Sequence, residues 1–235
     1  MLINAAGIIA QRTHFLYYLA IGRLHIGICT LRISRGTACS ALPRGYEIRI
    51  NMSLINTIEE GEIIVIKLEP FESTDFQQLM TWIESPRFMI QWGGKTFTFP
   101  LTEQQLENYI NSDSLIFRVV LEEKNRVIGH INLTMDRNNN SGRIGKVLIG
   151  DSNCKGQGLG QRMVQEVINI AFGQLKLHRV SLGVFDFNLS AIACYEKVGF
   201  VKEGLLREAR KVEGEYWNLW EMSILEKEWL DKLNA

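Results

Sequence analysis

The chain has 235 residues, of which 46% are hydrophobic and 22% are charged, a usage that excludes disordered and fibrous classes. Its 26 basic and 26 acidic residues balance, so the charge gives no reason to expect nucleic-acid binding. The cysteines form no Cys-x-x-Cys pair, which argues against a metal site or a disulfide scaffold and favours a cytoplasmic location. They are Cys29, Cys39, Cys154 and Cys194.

The first 51 residues differ in charge from the rest. They hold six Arg, no Lys and one acidic residue, Glu47, whereas residues 52–235 hold 20 basic and 25 acidic residues. The apolar run from Ala5 to Leu31 is too interrupted for a membrane span, which needs about 20 apolar residues. We expect residues 1–51 to be a non-native or disordered extension, Met52 to be the natural start, and residues 52–235 to form the functional domain. A transit peptide is the alternative for this Arg-rich, acid-poor segment.

In the first half of residues 52–235 the sequence predicts one strand and two helices. The β-branched run Ile63–Lys67 indicates a strand, and a capping box at Thr74 indicates a helix that ends before Ser85-Pro86. An aromatic stretch follows. A second capping box at Thr102 opens a helix that runs to about Ile110.

The second half predicts three strands, a long helix and a further set of short elements. The strands cover residues 116–121, 127–134 and 143–149, and the amphipathic helix covers residues 159–175. A strand at 179–187, a helix at 190–198 and strands at 200–206 and 217–225 follow. This order predicts an α/β (α+β) fold with a central mixed sheet and helices on both faces.

A glycine loop follows the strand that ends at Ile149. Its glycines alternate, at Gly156, Gly158 and Gly160, and a helix begins at once. Glycines let backbone N–H groups approach an anion, and a helix N-terminus attracts one, so this loop is typical of a phosphate or pyrophosphate site. The spacing fits neither the dinucleotide fingerprint nor the P-loop. A turn that only lets the helix pack on the sheet is the alternative interpretation.

A second motif lies just past the following strand. It runs from Asn188 through Tyr195-Glu196-Lys197-Val198-Gly199 to Phe200. With both motifs in this order, the chain resembles the GNAT superfamily of N-acetyltransferases over about residues 60–226, specifically its ribosomal-protein and small-amine N-acetyltransferase-like branch. The family's loop pattern matches Lys155–Gly160, with Lys155 at a position where the family usually has Arg or Gln.

The resemblance implies a GNAT-type acyl-CoA N-acyltransferase fold, acetyl-CoA as co-substrate, and a set of site residues. Tyr195 is implied as the acid that protonates the leaving thiolate, and Asn188 as a contact to the pantetheine arm. The backbone of Val147, Leu148 and Ile149 is implied to lie along the same arm. The pyrophosphate is implied to bind at Lys155, Gly156, Gln157, Gly158, Leu159, Gly160 and Gln161.

The acceptor side is less determined by the sequence. Trp92, Phe97 and Phe99 form either a wall of the acceptor site or ordinary core packing. His130 and several carboxylates at strand ends are candidates for a general base, and none is selected. Cys194 is expected to pack on its helix, because a cysteine nucleophile needs a nearby imidazole.

The sequence therefore predicts an N-acetyltransferase that transfers acetyl from acetyl-CoA to a primary amine by direct attack. The acceptor is a small-molecule amine or a protein N-terminus, and the acidic balance of residues 52–235 suits a cationic one. A catalytically idle module that binds and senses acyl-CoA is the alternative, against which Tyr195 argues. No nucleic-acid, membrane or metal partner is predicted. Trp217, Trp220 and Trp229 leave open a homodimer or burial within the chain itself.

Overall fold

The computed structural model describes residues 15–17, 29–34, 47–49 and 65–234. The chain divides into two units, Met1–Glu62 and Ile63–Ala235. The described part of the first unit is an antiparallel sheet of β1 (Phe15–Tyr17), β2 (Cys29–Ser34) and β3 (Glu47–Arg49). Met52 and most of the segment before it lie outside the described residues, and the expectation that residues 1–51 are an extension stays a prediction.

The second unit is built on a seven-stranded sheet with the order β4-β5-β6-β7-β8-β10-β9. Neighbouring strands are antiparallel except β7 and β8, which are parallel. The predicted mixed sheet is therefore confirmed. The strands are β4 (Ile66–Pro70), β5 (Ser114–Leu121), β6 (Arg126–Asp136), β7 (Ser141–Ile149), β8 (Arg179–Phe185), β9 (Val201–Val212) and β10 (Glu215–Leu225).

Helices cover both faces of this sheet, as predicted. One buried cluster joins the first three helices to Ile116 and Leu148, and another joins α4 and α5 to Ile144, Val180 and Leu182. Successive residues of a strand point to opposite faces, which is why Leu148 of β7 enters one cluster while its neighbours Val147 and Ile149 pack against the other. The helices are α1 (Phe76–Trp82), α2 (Pro86–Gly93), α3 (Glu103–Ile110), α4 (Leu159–Ile168, continued by a π turn at Asn169–Gln174), α5 (Leu189–Val198) and α6 (Glu226–Leu233).

Two helices are absent from the sequence prediction. Helix α2 lies inside the aromatic stretch, with Ser85 Oγ accepting a hydrogen bond from Phe88 N at 3.2 Å and Pro86 in the first turn. Both are N-terminal helix signals, so the sequence held the information for α2. Helix α6 follows β10 directly. The first capping box also lies earlier than predicted, since Asp75 accepts from Glu72 N at 2.9 Å. At Thr102 only half of the predicted box forms: Thr102 Oγ1 accepts from Gln105 N, while Gln105 Oε1 accepts from Thr98 N rather than from Thr102 N.

The tryptophans near the C-terminus find partners within the chain. Trp217 is buried and its ring lies 5.0 Å from that of Phe185, while Trp229 lies 5.6 Å from Phe172. These two side chains do not require a partner subunit for their burial, and a homodimer stays a prediction. Across the described residues, no helix combines the length and apolar character needed to cross a bilayer.

The sheet opens between its two parallel strands. β7 pairs with β8 only from Ser141 to Arg143, although both strands continue, to Ile149 and Phe185. A bulge accompanies the split: β6 jumps from His130 to Asn132 while β7 jumps from Leu148 to Gly145. Lys146, within the bulge, has φ of 50°. Since a bulge bends its strand and disrupts the ladder locally, it favours the separation of β7 from β8.

Candidate active site

A cavity of about 310 Å³ occupies the split between β7 and β8. Residues 144–149 of β7 and 182–185 of β8 line its sides. Helices α4 and α5 contribute Gly160, Met163, Asn188 and Tyr195 among others, and α2 reaches it with Phe88, Gln91 and Trp92.

A second cavity, of about 300 Å³, adjoins the first on the other side of the split. It touches Asn132 and Thr134, whose neighbours Ile131 and Leu133 pack toward α4, so it lies on the opposite face of the sheet. Arg210 of β9 and Leu219 of β10 also line it. Seven residues line both cavities: Gln91, Trp92, Ile144, Gly145, Lys146, Gly183 and Phe185.

The glycine loop lies at the start of α4. Gly156 and Gly158 have φ of 78° and 73°, and a Cβ at either position would meet no atom within 4 Å. Glycine is therefore favoured at these two positions by the left-handed backbone and not by close packing. Gly160 lines the first cavity, so the N–H groups that open α4 lie beside it.

The other predicted loop residues have varied surroundings. Leu159 is buried in the core, which leaves only its backbone for a ligand, and Lys155 is exposed. Gln157 donates to Asn153 O at 2.7 Å. Lys155, Gly156, Gln157, Gly158, Leu159 and Gln161 do not line the enclosed part of the first cavity, of which Gly160 is a wall.

The predicted β7 residues all line the first cavity. Val147, Leu148 and Ile149 lie beyond the last pair that β7 forms with β8. The edge of a strand that lacks a neighbour offers backbone donors and acceptors to an extended ligand. This stretch can therefore take a pantetheine-like chain as an additional strand.

Asn188 and Tyr195 reach the first cavity from α5. Asn188 caps the helix, with its Oδ1 accepting from Ala191 N at 3.3 Å and from Ser190 Oγ at 3.2 Å. Tyr195 is 7% exposed, and its hydroxyl has no hydrogen-bond partner within residues 65–234. Burial raises the pKa of this phenol. The hydroxyl is therefore protonated at neutral pH and available to a group in the cavity.

Lys146 is a site residue that the sequence analysis missed. Its carbonyl accepts from Trp92 Nε1 at 2.9 Å and lies 3.0 Å from His130 Nδ1. Its amine lies 4.9 Å from the ring of Tyr109 and 5.7 Å from that of Phe97, and burial lowers its pKa to about 8. A lysine within a strand usually indicates an exposed position. No sequence pattern predicts the bulge that turns the Lys146 side chain inward.

His130 is not placed to act as a base. It is 0% exposed and lines neither cavity, and burial lowers its pKa to about 4. A neutral imidazole enclosed by the rings of Phe71, Trp92 and Tyr109 is a packing residue of this region.

The three aromatic residues considered for the acceptor wall lie in different surroundings. Trp92 lines both cavities. Phe97 stacks behind Trp92 with 5.4 Å between ring centroids, Phe99 is 43% exposed, and neither lines these cavities. The structure places Gln91 and Phe185 there instead. Because α2 was not predicted, the side of it that faces the sheet could not be predicted either.

Cys194 lies closer to the site than expected. It is half-buried and lines the first cavity, 3.9 Å from the position that a Cβ on Gly160 would take. Burial raises the pKa of its thiol, which disfavours the thiolate that a nucleophile needs.

Comparison with known proteins agrees with this geometry. A model of the acetyltransferase (GNAT) family matches residues 77–200. The N-acetyltransferase p20 of Bacillus licheniformis is 32% identical over 175 residues, 73% of this chain and 90% of that protein. The SPbeta prophage-derived N-acetyltransferase YokL of Bacillus subtilis is 30% identical over 113 residues, 48% of this chain, and the match spans 63% of its length.

A solved structure shares the fold. The crystal structure of spermidine N-acetyltransferase from Vibrio cholerae in complex with CoA and spermine superposes with a TM-score of 0.61 at 23% identity, over 70% of this chain and 98% of that one. At this identity the likeness concerns the fold alone. From the family match, the close relative and the split sheet, we conclude that the chain belongs to the acetyltransferase (GNAT) family and is an acetyl-CoA-dependent N-acetyltransferase.

Proposed function

We propose that this protein transfers the acetyl group of acetyl-CoA directly to a primary amine at the junction of the two cavities. The amine belongs to a small molecule or to a protein N-terminus. The observation that carries the proposal is that two cavities on opposite faces of the sheet share walls at the β7–β8 split. Direct transfer requires the amine and the thioester to meet within about 3–3.5 Å, and two cavities that share walls at the split allow both substrates to be bound side by side.

The first cavity is the proposed acetyl-CoA site. The unpaired edge of β7 at Val147, Leu148 and Ile149 takes the pantetheine arm, with Asn188 contacting it from α5. The amides from Gly156 to Gln161 bind the pyrophosphate, since the N-terminus of α4 concentrates unsatisfied N–H groups and a positive dipole end. Lys155 adds a positive charge there but lacks the planar fork of an arginine.

The transfer itself uses few side chains. The neutral amine attacks the thioester carbonyl, the C–N bond forms, and a β7 amide near Leu148 or Ile149 stabilises the oxyanion. The C–S bond then breaks, and the Tyr195 hydroxyl donates its proton to the leaving sulfur. Among the residues that the structure describes, no Asp, Glu or His lines these two cavities. Lys146 lines both cavities, but with a pKa of about 8 it is mostly protonated at pH 7. The proton of the attacking amine therefore leaves to water.

Tyr195→Phe tests this assignment, with release of free CoA thiol measured across a panel of amines and N-terminal peptides. We expect kcat to fall about 100-fold, because a positioned acid contributes about 10²–10⁴-fold, and acetyl-CoA binding to stay unchanged. Tyr109→Phe is the matched control. Tyr109 is equally buried and its hydroxyl has no hydrogen-bond partner among the described residues either, but it lines neither cavity.

The sensing-module alternative makes a different prediction for the same experiment. Tight acetyl-CoA binding without thiol release on any acceptor would support it. Equal activity of Tyr195→Phe and the unmodified protein would remove Tyr195 from the mechanism while leaving the reaction in place.

A further inference from the structure

We infer that the acceptor amine carries an anionic group, a carboxylate or a phosphate, and that the second cavity binds this group through Arg210, Lys95 and Arg143. The inference rests on the proposed function and specifies its acceptor. It concerns the cavity on the α2, β9 and β10 side of the split.

The charged residues that line the second cavity are all basic. Lys95, Arg143, Lys146 and Arg210 line it, and within residues 65–234 no Asp or Glu does. Three of these four, Lys95, Arg143 and Arg210, do not line the first cavity. The positive charge is therefore concentrated on the side from which the acceptor enters.

Arg210 is the best placed of these cations. It is half-buried on β9, opposite Trp217 of β10. Its Nη1 donates to the neighbouring Ala209 O at 2.9 Å, and it forms no ion pair with any residue in the described part of the chain. A guanidinium has five N–H donors in a fork that matches a carboxylate or a phosphate. Most of the Arg210 donors are therefore available to a ligand.

Arg143 and Lys95 differ in how much charge they offer. Arg143 binds Glu221 through two hydrogen bonds of 2.9 Å each, which largely neutralises it. Its Nη2 lies 2.8 Å from the position that a Cβ on Gly183 would take, so it lies against the split. Lys95 is exposed and, within residues 65–234, has no ion-pair partner. The net charge offered to a ligand comes mainly from Arg210 and Lys95.

Asn132 indicates where the amine end of the acceptor lies. Its side chain is 2% exposed, lines the second cavity, and its Oδ1 has no hydrogen-bond partner among the described residues. This oxygen lies 2.9 Å from the position of a Cβ on Gly145, a residue that lines both cavities. A buried unsatisfied acceptor favours a ligand N–H donor. The amine is thus placed toward the split and the anionic group toward Arg210.

The same lining disfavours a polycationic acceptor. A polyamine needs carboxylates near its distal ammonium groups, and like charges brought together in a partly desolvated cavity repel each other. The overall acidic balance of residues 52–235, which suggested a cationic acceptor, is not reproduced in the second cavity. The local charge of the site decides recognition at contact distance, whereas net charge acts over long range.

Matched acceptors test the inference by thiol release. One pair is L-phenylalanine and L-phenylalaninamide, a second is phosphoethanolamine and ethanolamine, and spermidine is the polycation. We expect kcat/KM to be about 10-fold or more higher for the anionic member of at least one pair, as for a charge-assisted hydrogen bond, and spermidine to fall below it. The pair that shows the preference identifies carboxylate or phosphate as the recognised group.

Variants of Arg210 assign the preference to the cavity. Arg210→Gln should raise KM for the anionic acceptor about 10-fold and leave the neutral member unchanged, while Arg210→Lys should restore part of the affinity. Lys211→Gln is the control, because Lys211 is an exposed neighbour on β9 that lines neither cavity. Equal effects of Arg210→Gln on both members of a pair would contradict the inference.

Calorimetric binding of the same compounds to the CoA-bound protein separates this inference from the proposed function. Faster turnover of the neutral members or of spermidine would overturn the inference and leave the transfer reaction in place. Binding of an anionic compound that Arg210→Gln weakens, without turnover of any acceptor, would support the inference and reject the proposed function. Neither turnover nor preferential binding of an anionic compound would reject both.

Discussion

The two sides of the β7–β8 split are built in different ways. The α4–α5 side offers mainly backbone: the unpaired edge of β7, the glycine loop with positive φ at Gly156 and Gly158, and the first N–H groups of α4. The α2–β9–β10 side offers side chains from distant parts of the sequence, among them Trp92, Asn132 and Arg210.

This difference fits the two proposed ligands. A backbone site suits a ligand that is the same for every member of a family, because it depends on chain conformation and tolerates changes of side chain. A site made of side chains on six separate helices and strands changes with single substitutions and can be specific for one acceptor. We therefore expect variants on the first side to affect acetyl-CoA, and variants on the second side to affect the acceptor.

The largest effect is expected for Gly158→Ala, which tests the backbone side. Gly158 has φ of 73°, where an L-residue costs about 1–2 kcal/mol, and a shift in this backbone would misdirect the amides proposed to bind the pyrophosphate. We expect the KM for acetyl-CoA to rise about 10- to 100-fold, as for the loss of one or two charge-assisted hydrogen bonds. Steady-state kinetics at saturating acceptor measure it.

Gly214→Ala is the control for strain in that prediction. Gly214 has φ of 92° in the β9–β10 turn, and a Cβ there would meet no atom within 4 Å, as at Gly158. Both variants should lose a similar free energy of unfolding, but only Gly158→Ala should weaken acetyl-CoA binding. An unchanged KM for Gly158→Ala would mean that the loop does not bind the pyrophosphate.

The same contrast explains what the sequence could predict. The glycine loop, Asn188 and Tyr195 belong to two short segments of the sequence. The alternating glycines are a local signal, whereas Asn188 and Tyr195 stand out only because their segment resembles the family's motif. The strands and four of the six helices of residues 65–234 follow from local signals as well. The predictions for residues 52–64 lie outside the described residues. The strand predicted at Ile63–Lys67 corresponds to β4, which the structure places three residues later, at Ile66–Pro70.

The second side could not be predicted for a physical reason. Helix α2 had its N-terminal signals in the sequence at Ser85 and Pro86, but its packing, which brings Gln91 to the cavity, did not follow from them. Lys146 reaches the cavity because β7 bulges against β6. Arg210 and Leu219 meet this region only when the β9–β10 hairpin pairs with β8. Such contacts depend on tertiary pairing between residues far apart in the chain, and single-sequence patterns carry no measure of it.

A moderate effect, on stability, is expected at Lys146, where the two sides meet. Burial lowers the pKa of Lys146 from 10.5 to about 8. The folded state therefore binds the proton of this amine less tightly than the unfolded state does, and the charged amine destabilises the fold. Lys146→Met removes this cost while keeping the apolar contacts. We expect the free energy of unfolding at pH 7 to rise by about 1–2 kcal/mol, a value reduced from the shift because the group is partly exposed.

The pH dependence identifies the cause of that gain. Below pH 8 Lys146 is protonated in both states and the full advantage of the variant is present. Between about pH 8 and 10.5 the folded protein loses the proton first, so the unmodified protein gains stability and the difference shrinks. Denaturant unfolding at pH 7 and 9.5 measures it, with the exposed Lys95→Met as control. A less stable variant at pH 7 would mean that the contact with Tyr109 and Phe97 outweighs burial.

The smallest effect concerns the charges that hold the β8–β10–β9 end of the sheet. Glu203 accepts from Arg179 at 2.6 Å and from Ser223 Oγ at 2.7 Å, and these contacts lower its pKa to about 2. A lowered carboxylate pKa gives stability that is present above the unfolded value of about 4.5 and is lost as the pH falls toward 2. Because the pair is partly exposed, we expect Glu203→Gln to cost about 0.5–1 kcal/mol at pH 7.

Acid titration of unfolding tests whether this end of the sheet depends on side-chain charge in this way. The difference between Glu203→Gln and the unmodified protein should disappear between pH 4.5 and about 2, because the unmodified carboxylate is then protonated as well. Asp231→Asn removes an exposed i,i+4 pair with Lys227 and should leave both the stability and its pH profile nearly unchanged. A difference that persists at pH 2 would mean that Glu203 acts through neutral hydrogen bonds, and this end of the sheet would then resemble the backbone side.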